Sequence, residues 1–215
     1  AADYGVPQRR ERVFFFGFRS DLGLEWSFPR PTHSQEALLW DQWVSGEYWE
    51  RHNVANRNRP VLTRRFQLKV DGLRELGKRP SEKPWRTVRD AISDLPQPRL
   101  EERLGVHNHK LISGARSYPG HTGSPMDEPA KTLKAGAHGV PGGDNMLAHA
   151  DGRVLYFTVR ESARLQSFPD DYVFRGSWTE SMRQLGNAVP VGLGQAVASG
   201  IRSLLHPATA AASNN

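Results

Sequence analysis

Three groups of residues in this 215-residue sequence have the types and spacing to do chemistry. Residues 8–12 read QRRER, three arginines within five residues, and lead into the apolar run VFFFGF at 13–18. A guanidinium stays charged when buried and offers forked donors to oxygen. It therefore suits a phosphate, or an acceptor that gains electron density during attack. Arginines at the mouth of a buried strand serve equally well as a solvated rim. The second group is Asn187, Ala188 and Val189, between Gly186 and Pro190. It lies beside a helix start, whose unpaired N–H groups and dipole favour a carboxylate or phosphate. Simple packing explains the same helix–turn–helix pattern. The third group is residues 113–145, crowded with Gly and Pro and carrying scattered basic side chains. One residue type is missing altogether. With no Cys, the chain has no disulfide, no thiolate metal ligand and no thiolate nucleophile.

These groups need elements to hold them. Thr158 with Glu161, and Ser177 with Glu180, have capping-box spacing and predict two helix starts. FPDD at 168–171 is a Pro-Asp turn that ends the first helix. Gly186 and Asn187 are expected to break the second, with Pro190 in the first turn of a third. That last helix would carry an apolar stripe of Val197, Ala198, Ile201, Leu204 and Leu205. Residues 13–18 read as a short strand buried on both faces. Residues 26–33 carry two prolines and read as a hinge, and 34–50 are helical. Residues 51–69, dense in Arg and Asn, read as a solvated face or a phosphate track. Residues 85–96 predict a short structural helix, with Thr87 as cap and Asp90 at capping-box spacing. Residues 113–145 predict glycine loops between short strands, with Tyr118, Met126, Leu133, Val140 and Met146 available to bury. The tail at 208–215 is expected to be disordered.

Composition sets the outer limits. The length suits one domain or two small ones. Hydrophobic residues at 37% and charged ones at 24% read as globular and rather polar. No apolar run approaches the ~20 residues of a membrane span, and no signal-peptide pattern precedes the arginine cluster. A formal charge of +6 suits a polyanionic partner.

RESARLQSFPDDY followed by QLGNAVPV resembles the ninth and tenth conserved motifs of the DNA cytosine-5 methyltransferases. DYGVPQRRERVFFFGFR at 3–19 resembles the eighth. The three occur in the family's order, separated by a long variable region. The resemblance implies an α/β chain: the end of a Rossmann-like S-adenosylmethionine-dependent methyltransferase domain plus a smaller irregular, loop- and strand-rich target-recognition domain. It implies boundaries at 1–30 for the end of the catalytic domain, 31–155 for target recognition, and 156–180 for the ninth-motif segment. Residues 181–206 would be the helix returning to the catalytic domain, and 207–215 a tail.

By the same resemblance, Arg12 would bond the target cytosine's exocyclic oxygen and Arg10 would hold nearby phosphate, with Gln8 and Arg9 as adjoining DNA contacts. Thr132-Leu133 resembles the threonine-containing dipeptide whose Thr touches the phosphate beside the flipped base. Arg116, His121, Lys134, His138 and Asn145 become candidates for base edges or phosphates, Arg to guanine and Asn to adenine being the favoured pairings. Asn187, Ala188 and Val189 would meet the carboxylate end of S-adenosylmethionine. The glycine-rich cofactor loop, the Pro-Cys pair and the Glu-Asn-Val of the family are not in the sequence and are expected upstream of Ala1. The implied partners are double-stranded DNA and an N-terminal catalytic part, in the same chain or a separate subunit. The implied setting is the bacterial cytoplasm, with no membrane. Two other readings stay open: a DNA-binding remnant without methylation, and an RNA-directed relative.

Overall fold

Capping chemistry decides where most of the helices begin. In a computed structural model, which describes residues 1–101, 105–135 and 143–206, the Ser34 hydroxyl accepts from the Ala37 N–H and starts α1 (Gln35–Trp43). The helix expected over 34–50 is two helices. Gly46, with φ 82°, takes the left-handed conformation that glycine adopts without penalty, and α2 (Glu47–Arg51) starts after it. Then come α3 (Arg64–Leu76) and α4 (Val88–Ile92), the latter with the Thr87/Asp90 capping box. Thr158/Glu161 and Ser177/Glu180 form complete capping boxes at α5 (Val159–Leu165) and α6 (Trp178–Asn187). Pro190 is the N-cap of α7 (Val191–Leu205), one position earlier than expected.

The chain is mixed α/β, with small sheets. β1 (His33–Ser34) pairs in parallel with β2 (Lys83–Pro84). β3 (Ser124–Pro125) lies parallel to β4 (Met146–Ala148), which pairs antiparallel with β5 (Val154–Tyr156). Apart from a 3-10 turn at Gly143–Asn145, the 113–145 stretch is otherwise loop in its described part. Val140, His138 and the tail from 207 lie outside the described residues.

Residues 13–18 do not form the buried strand. Val13 is 79% exposed and Phe15 95%. A strand apolar on both faces is buried only where neighbours cover both, and none of the described residues pairs with this one. The segment instead folds back through a 3-10 turn at Ser20–Leu22, with Gly23 left-handed. The alternate side chains Phe14 and Phe16 then pack on Trp26 and Phe28, at centroid separations of 3.9 to 6.3 Å. It is a ribbon with one covered face.

The main core joins α4, α5, α6 and the β4–β5 hairpin through Val88, Phe157, Leu165, Met182 and Leu185, with Ala130, Leu133 and Leu147. It draws on residues both before and after position 155. A helical layer beside it, α1 to α3, has two smaller apolar clusters, around Trp49 and around Val70. Asp127 ties the layers together. It accepts from the Tyr48 hydroxyl at 2.9 Å and from Arg89 Nε at 2.6 Å, and its carbonyl accepts from Gln42. Burial, with the Asp127 charge beside it, pushes the Tyr48 phenol up and keeps it a neutral donor.

α7 buries Leu193 and Val197 and half-buries Ile201 and Leu204, while Ala198 and Leu205 are exposed. The expected stripe is therefore rotated. Its covered side faces the Val6 turn through Gly192 and the ribbon's Pro29 and Trp26 through Gly200.

Candidate functional site

The arginine cluster lies on an extended segment next to the stretch that contains Thr132. Gln8 bridges Ala130 in parallel. Ala130 N–H donates to Pro7 O at 2.9 Å, Arg9 N–H to Ala130 O at 2.8 Å, and the Thr132 hydroxyl to Arg9 O at 2.5 Å. Extended backbone sends alternate side chains to opposite sides. Gln8 and Arg10 accordingly point inward, at 0% and 1% exposure, and Arg9 and Glu11 point outward. Arg12 shares the parity of Gln8 and Arg10. The covering segment has ended there, so Arg12 is exposed, and among the described residues its Nη1 donates only to the carbonyl of adjacent Glu11.

Arg10 joins three distant parts of the chain. Its Nη1 donates to Leu133 O at 2.9 Å and its Nη2 to Gly186 O at 2.6 Å. Arg10 is 1% exposed and its side chain holds these two carbonyls, so it stands as a buried strut, where the resemblance implied a phosphate contact. Gly186 explains how the approach is possible. A Cβ there would stand 2.2 Å from Ala135 N and 2.4 Å from Ala135 Cα. Gly186 therefore does not break α6, which runs through Asn187; it lets the helix touch the segment after Leu133. The helix ends at Ala188, whose backbone is extended at φ −64°, ψ 150°.

The turn before Pro190 is held from the other side. The Gln166 side-chain amide donates to Leu185 O, and Gln166 O accepts from Val191 N–H at 2.9 Å. Arg160, 1% exposed, donates to the carbonyls of His107, Pro169 and Tyr172, which fixes the Pro-Asp turn. Arg164 clamps Asp170 at 2.6 Å, which holds that carboxyl below its usual range. Burial pushes the Glu161 carboxyl up, against the opposing effect of the Thr158 N–H it accepts from. Asn187 and Val189 are exposed on the turn and Ala188 is half-buried. An exposed amide beside the first turn of α7 suits a carboxylate, so these three fit one wall of a cofactor site.

The remaining expected contacts separate. Arg9 is exposed, paired with Glu128 at 2.6 Å, and lies 5.9 Å from the Trp85 ring centroid. Lys134 is 66% exposed and paired with Asp144. Arg116 is exposed, and His121 stacks on Tyr118 at 4.2 Å. Thr132 borders the arginine segment; Leu133 is core. Asn145 offers no edge to a base as placed. It is 1% exposed, accepting from Lys134 N–H and donating to Lys134 O, so it is corrected to a loop clamp. The Gln8 carboxamide is likewise buried, and neither of its ends has a partner among the described residues. Local spacing carries no signal for Trp85, Glu128 and Arg160, because their partners lie far off in sequence or are backbone carbonyls. A cleft of about 210 Å³ between α4 and the β4–β5 hairpin has Arg89, Met126, His149 and Tyr156 on its walls and none of the expected site residues.

With the geometry set out, comparison with known proteins adds an independent line. The model of the C-5 cytosine-specific DNA methylases matches residues 1–203. The chain is 30% identical to the Type II methyltransferase M.MthTI of Methanothermobacter thermautotrophicus, over 94% of the chain and 54% of that protein. It is 32% identical to M.NgoFVII of Neisseria gonorrhoeae, over 88% and 44%. It is 28% identical to M.BsuRI of Bacillus subtilis, over 94% and 40%. The chain thus spans about half the length of the curated relatives it matches.

Proposed function

The chain belongs to the C-5 cytosine-specific DNA methylase family, and from that premise we propose that it is the C-terminal portion or a subunit of a Type II DNA cytosine-5 methyltransferase. In this reading it recognises a duplex site and helps transfer a methyl group to C5 of a flipped cytosine. The observation that carries the proposal is the Arg10 strut, which draws the arginine segment, the Thr132-Leu133 loop and the Asn187 turn into one junction. The segments that resemble the family's DNA-facing and cofactor-facing motifs meet at this junction, which supports a flipped base beside it.

Arg12, exposed just beyond the junction, donates to the base's exocyclic oxygen as charge builds there. Thr132 and Lys134 border the phosphates; Arg9, Arg116 and His121 extend the DNA-facing rim. Gln8 and Arg10 act from beneath, by positioning. Asn187, Ala188 and Val189 hold the carboxylate end of S-adenosylmethionine, which supplies the methyl group when bound. The thiolate for C6 and the acid for ring N3 come from polypeptide outside this chain, which has no Cys. That polypeptide also carries the rest of the Rossmann-like sheet, and the uncovered ribbon face supports a neighbour there. Residues 31–155 form the target-recognition region. The restriction-modification setting of its Type II relatives supports a bacterial cytoplasm as its location.

The test mixes this chain with a polypeptide carrying the family's upstream motifs, duplex DNA and radiolabelled S-adenosylmethionine. Label in the DNA is expected. Replacing Arg12 with Ala should lower turnover about 10²-fold, the usual effect of removing one such donor, and leave DNA affinity within about threefold. Equal losses in both would remove Arg12 from the base. Tight DNA binding without label transfer would make the chain a recognition module only.

A further inference from the structure

The charge of this protein is unevenly placed. Residues 51–69 contain six Lys and Arg and no Asp or Glu. The whole chain has 29 against 23, so without this stretch the balance is 23 against 23. The entire +6 excess sits on 19 residues. The stretch leaves α2, passes a 3-10 turn at Asn56–Asn58 and runs into the start of α3.

Ordinary structural roles account for only part of this charge. Arg51 pairs with Asp90 at 3.1 Å and Lys69 with Glu36 at 2.9 Å. Arg59 lies over the Trp49 ring at 5.4 Å. Arg57, Arg64 and Arg65 are exposed and have no ion-pair partner among the described residues. Arg64 and Arg65 occupy the first turn of α3, where there is no acid and where the helix dipole opposes a cation. They are misplaced for helix stability. Three asparagines, Asn53, Asn56 and Asn58, share the exposed surface and add neutral donors. The band is also anchored to the site. Trp49 and Trp85 belong to one apolar cluster, and Trp85 faces Arg9 and donates to Asp3 at 2.9 Å.

We propose that Arg57, Arg59, Arg64 and Arg65 form a second DNA-binding surface, which grips the phosphate backbone of duplex flanking the target and reads no sequence. The inference rests on the DNA-directed reading above and adds a separate site to it. A band of cations with no acids, tied through the Trp49–Trp85 cluster to the rim of the base-directed site, has the charge to hold the phosphates of a duplex that continues past that site.

The test measures affinity for a 30-base-pair fluorescein-labelled duplex of mixed sequence by anisotropy, across a KCl series. The wild type is compared with the triple variant R57Q/R64Q/R65Q; Arg59 is kept because it packs on Trp49. Loss of three phosphate contacts should flatten the log–log salt slope by about 2.7. Between 50 and 200 mM salt, the wild type should then lose about 40-fold more affinity than the variant. The charge-keeping variant R57K/R64K/R65K should retain the wild-type slope. An unchanged slope in the Gln variant overturns the band and leaves the methyltransferase proposal standing. A wild type that ignores the duplex but binds an RNA hairpin or poly-glutamate overturns it too, and the label-transfer assay then decides the wider reading separately. Should the Gln variant fail to fold, Asn58→Cys carries the decision, because the chain has no other Cys. A photo-crosslinker on that thiol should capture the duplex, and no capture, alongside anisotropy showing binding, overturns the proposal.

Discussion

Arg10 and Arg12 are two residues apart on one extended segment, with side chains of the same parity, yet they meet opposite environments. Arg10 is 1% exposed and bonded to carbonyls 123 and 176 residues away. Arg12 reaches no further than the carbonyl of Glu11, and the aromatic ribbon after it leaves Phe15 95% exposed. Arg10 and Arg12 are the same residue type. What changes is whether chain from elsewhere covers them, so the junction is buried and the ribbon has one uncovered face. The first region should govern the stability of this chain. The uncovered face of the second should govern only what it does with a partner.

The sharpest way to break that contrast is Arg10→Ala against Arg12→Ala. Removing Arg10 takes away two charge-assisted bonds and leaves the Leu133 and Gly186 carbonyls short of a donor. At about 1.5 to 3 kcal/mol each, the loss should reach about 3 to 5 kcal/mol in urea unfolding. Arg12→Ala should stay within about 0.5 kcal/mol, as exposed substitutions do. Equal effects would mean that Arg10 is not a strut. A second pair tests the close approach on which the junction depends. Gly186→Ala forces α6 away from the Ala135 backbone and should cost about 2 to 3 kcal/mol. Gly194→Ala on α7 has nothing within 4 Å of its new Cβ and should stabilise by about 0.5 to 1 kcal/mol, through helix propensity. If both alanines are tolerated alike, the contact at Gly186 is looser than its geometry.

The same contrast explains what could be read in advance. The capping boxes at Thr87, Thr158 and Ser177 were legible because each closes within three residues, so local spacing contains the whole interaction. The arginine segment, the Thr132 loop and the Asn187 turn were legible as parts of one site, through their resemblance to a family. How they touch was not. Gly186 looks like a helix breaker until Ala135 is placed against it. Asn145 looks like a base reader until both ends of its amide are found on Lys134, 11 residues away in sequence. The 13–18 run has strand composition, but a strand buried on both faces is a statement about its neighbours, and composition does not supply them. On α7, the alternation of small and large residues leaves two adjacent faces apolar. Only the position of Val6 and Trp26 selects the one through Leu193 and Val197.

The smallest effect expected in the isolated chain is also the most informative about the ribbon. Phe15 touches almost nothing here, so Phe15→Ser should change the unfolding free energy by less than about 0.5 kcal/mol. In the reconstituted mixture it should matter much more. If the uncovered face meets the upstream polypeptide, burying a phenylalanine there contributes about 1.5 to 3 kcal/mol. The variant should then need roughly 10- to 100-fold more of that polypeptide to reach half-maximal label transfer. Phe14 is the control on the covered face. Phe14→Ser should destabilise the chain itself, because Phe14 stacks on Phe16 and meets Phe28 edge-on. A Phe15 variant that unfolds the chain, or that assembles like the wild type, would show that the ribbon is already complete. The contrast with the Arg10 junction would then be one of exposure alone and not of a missing neighbour.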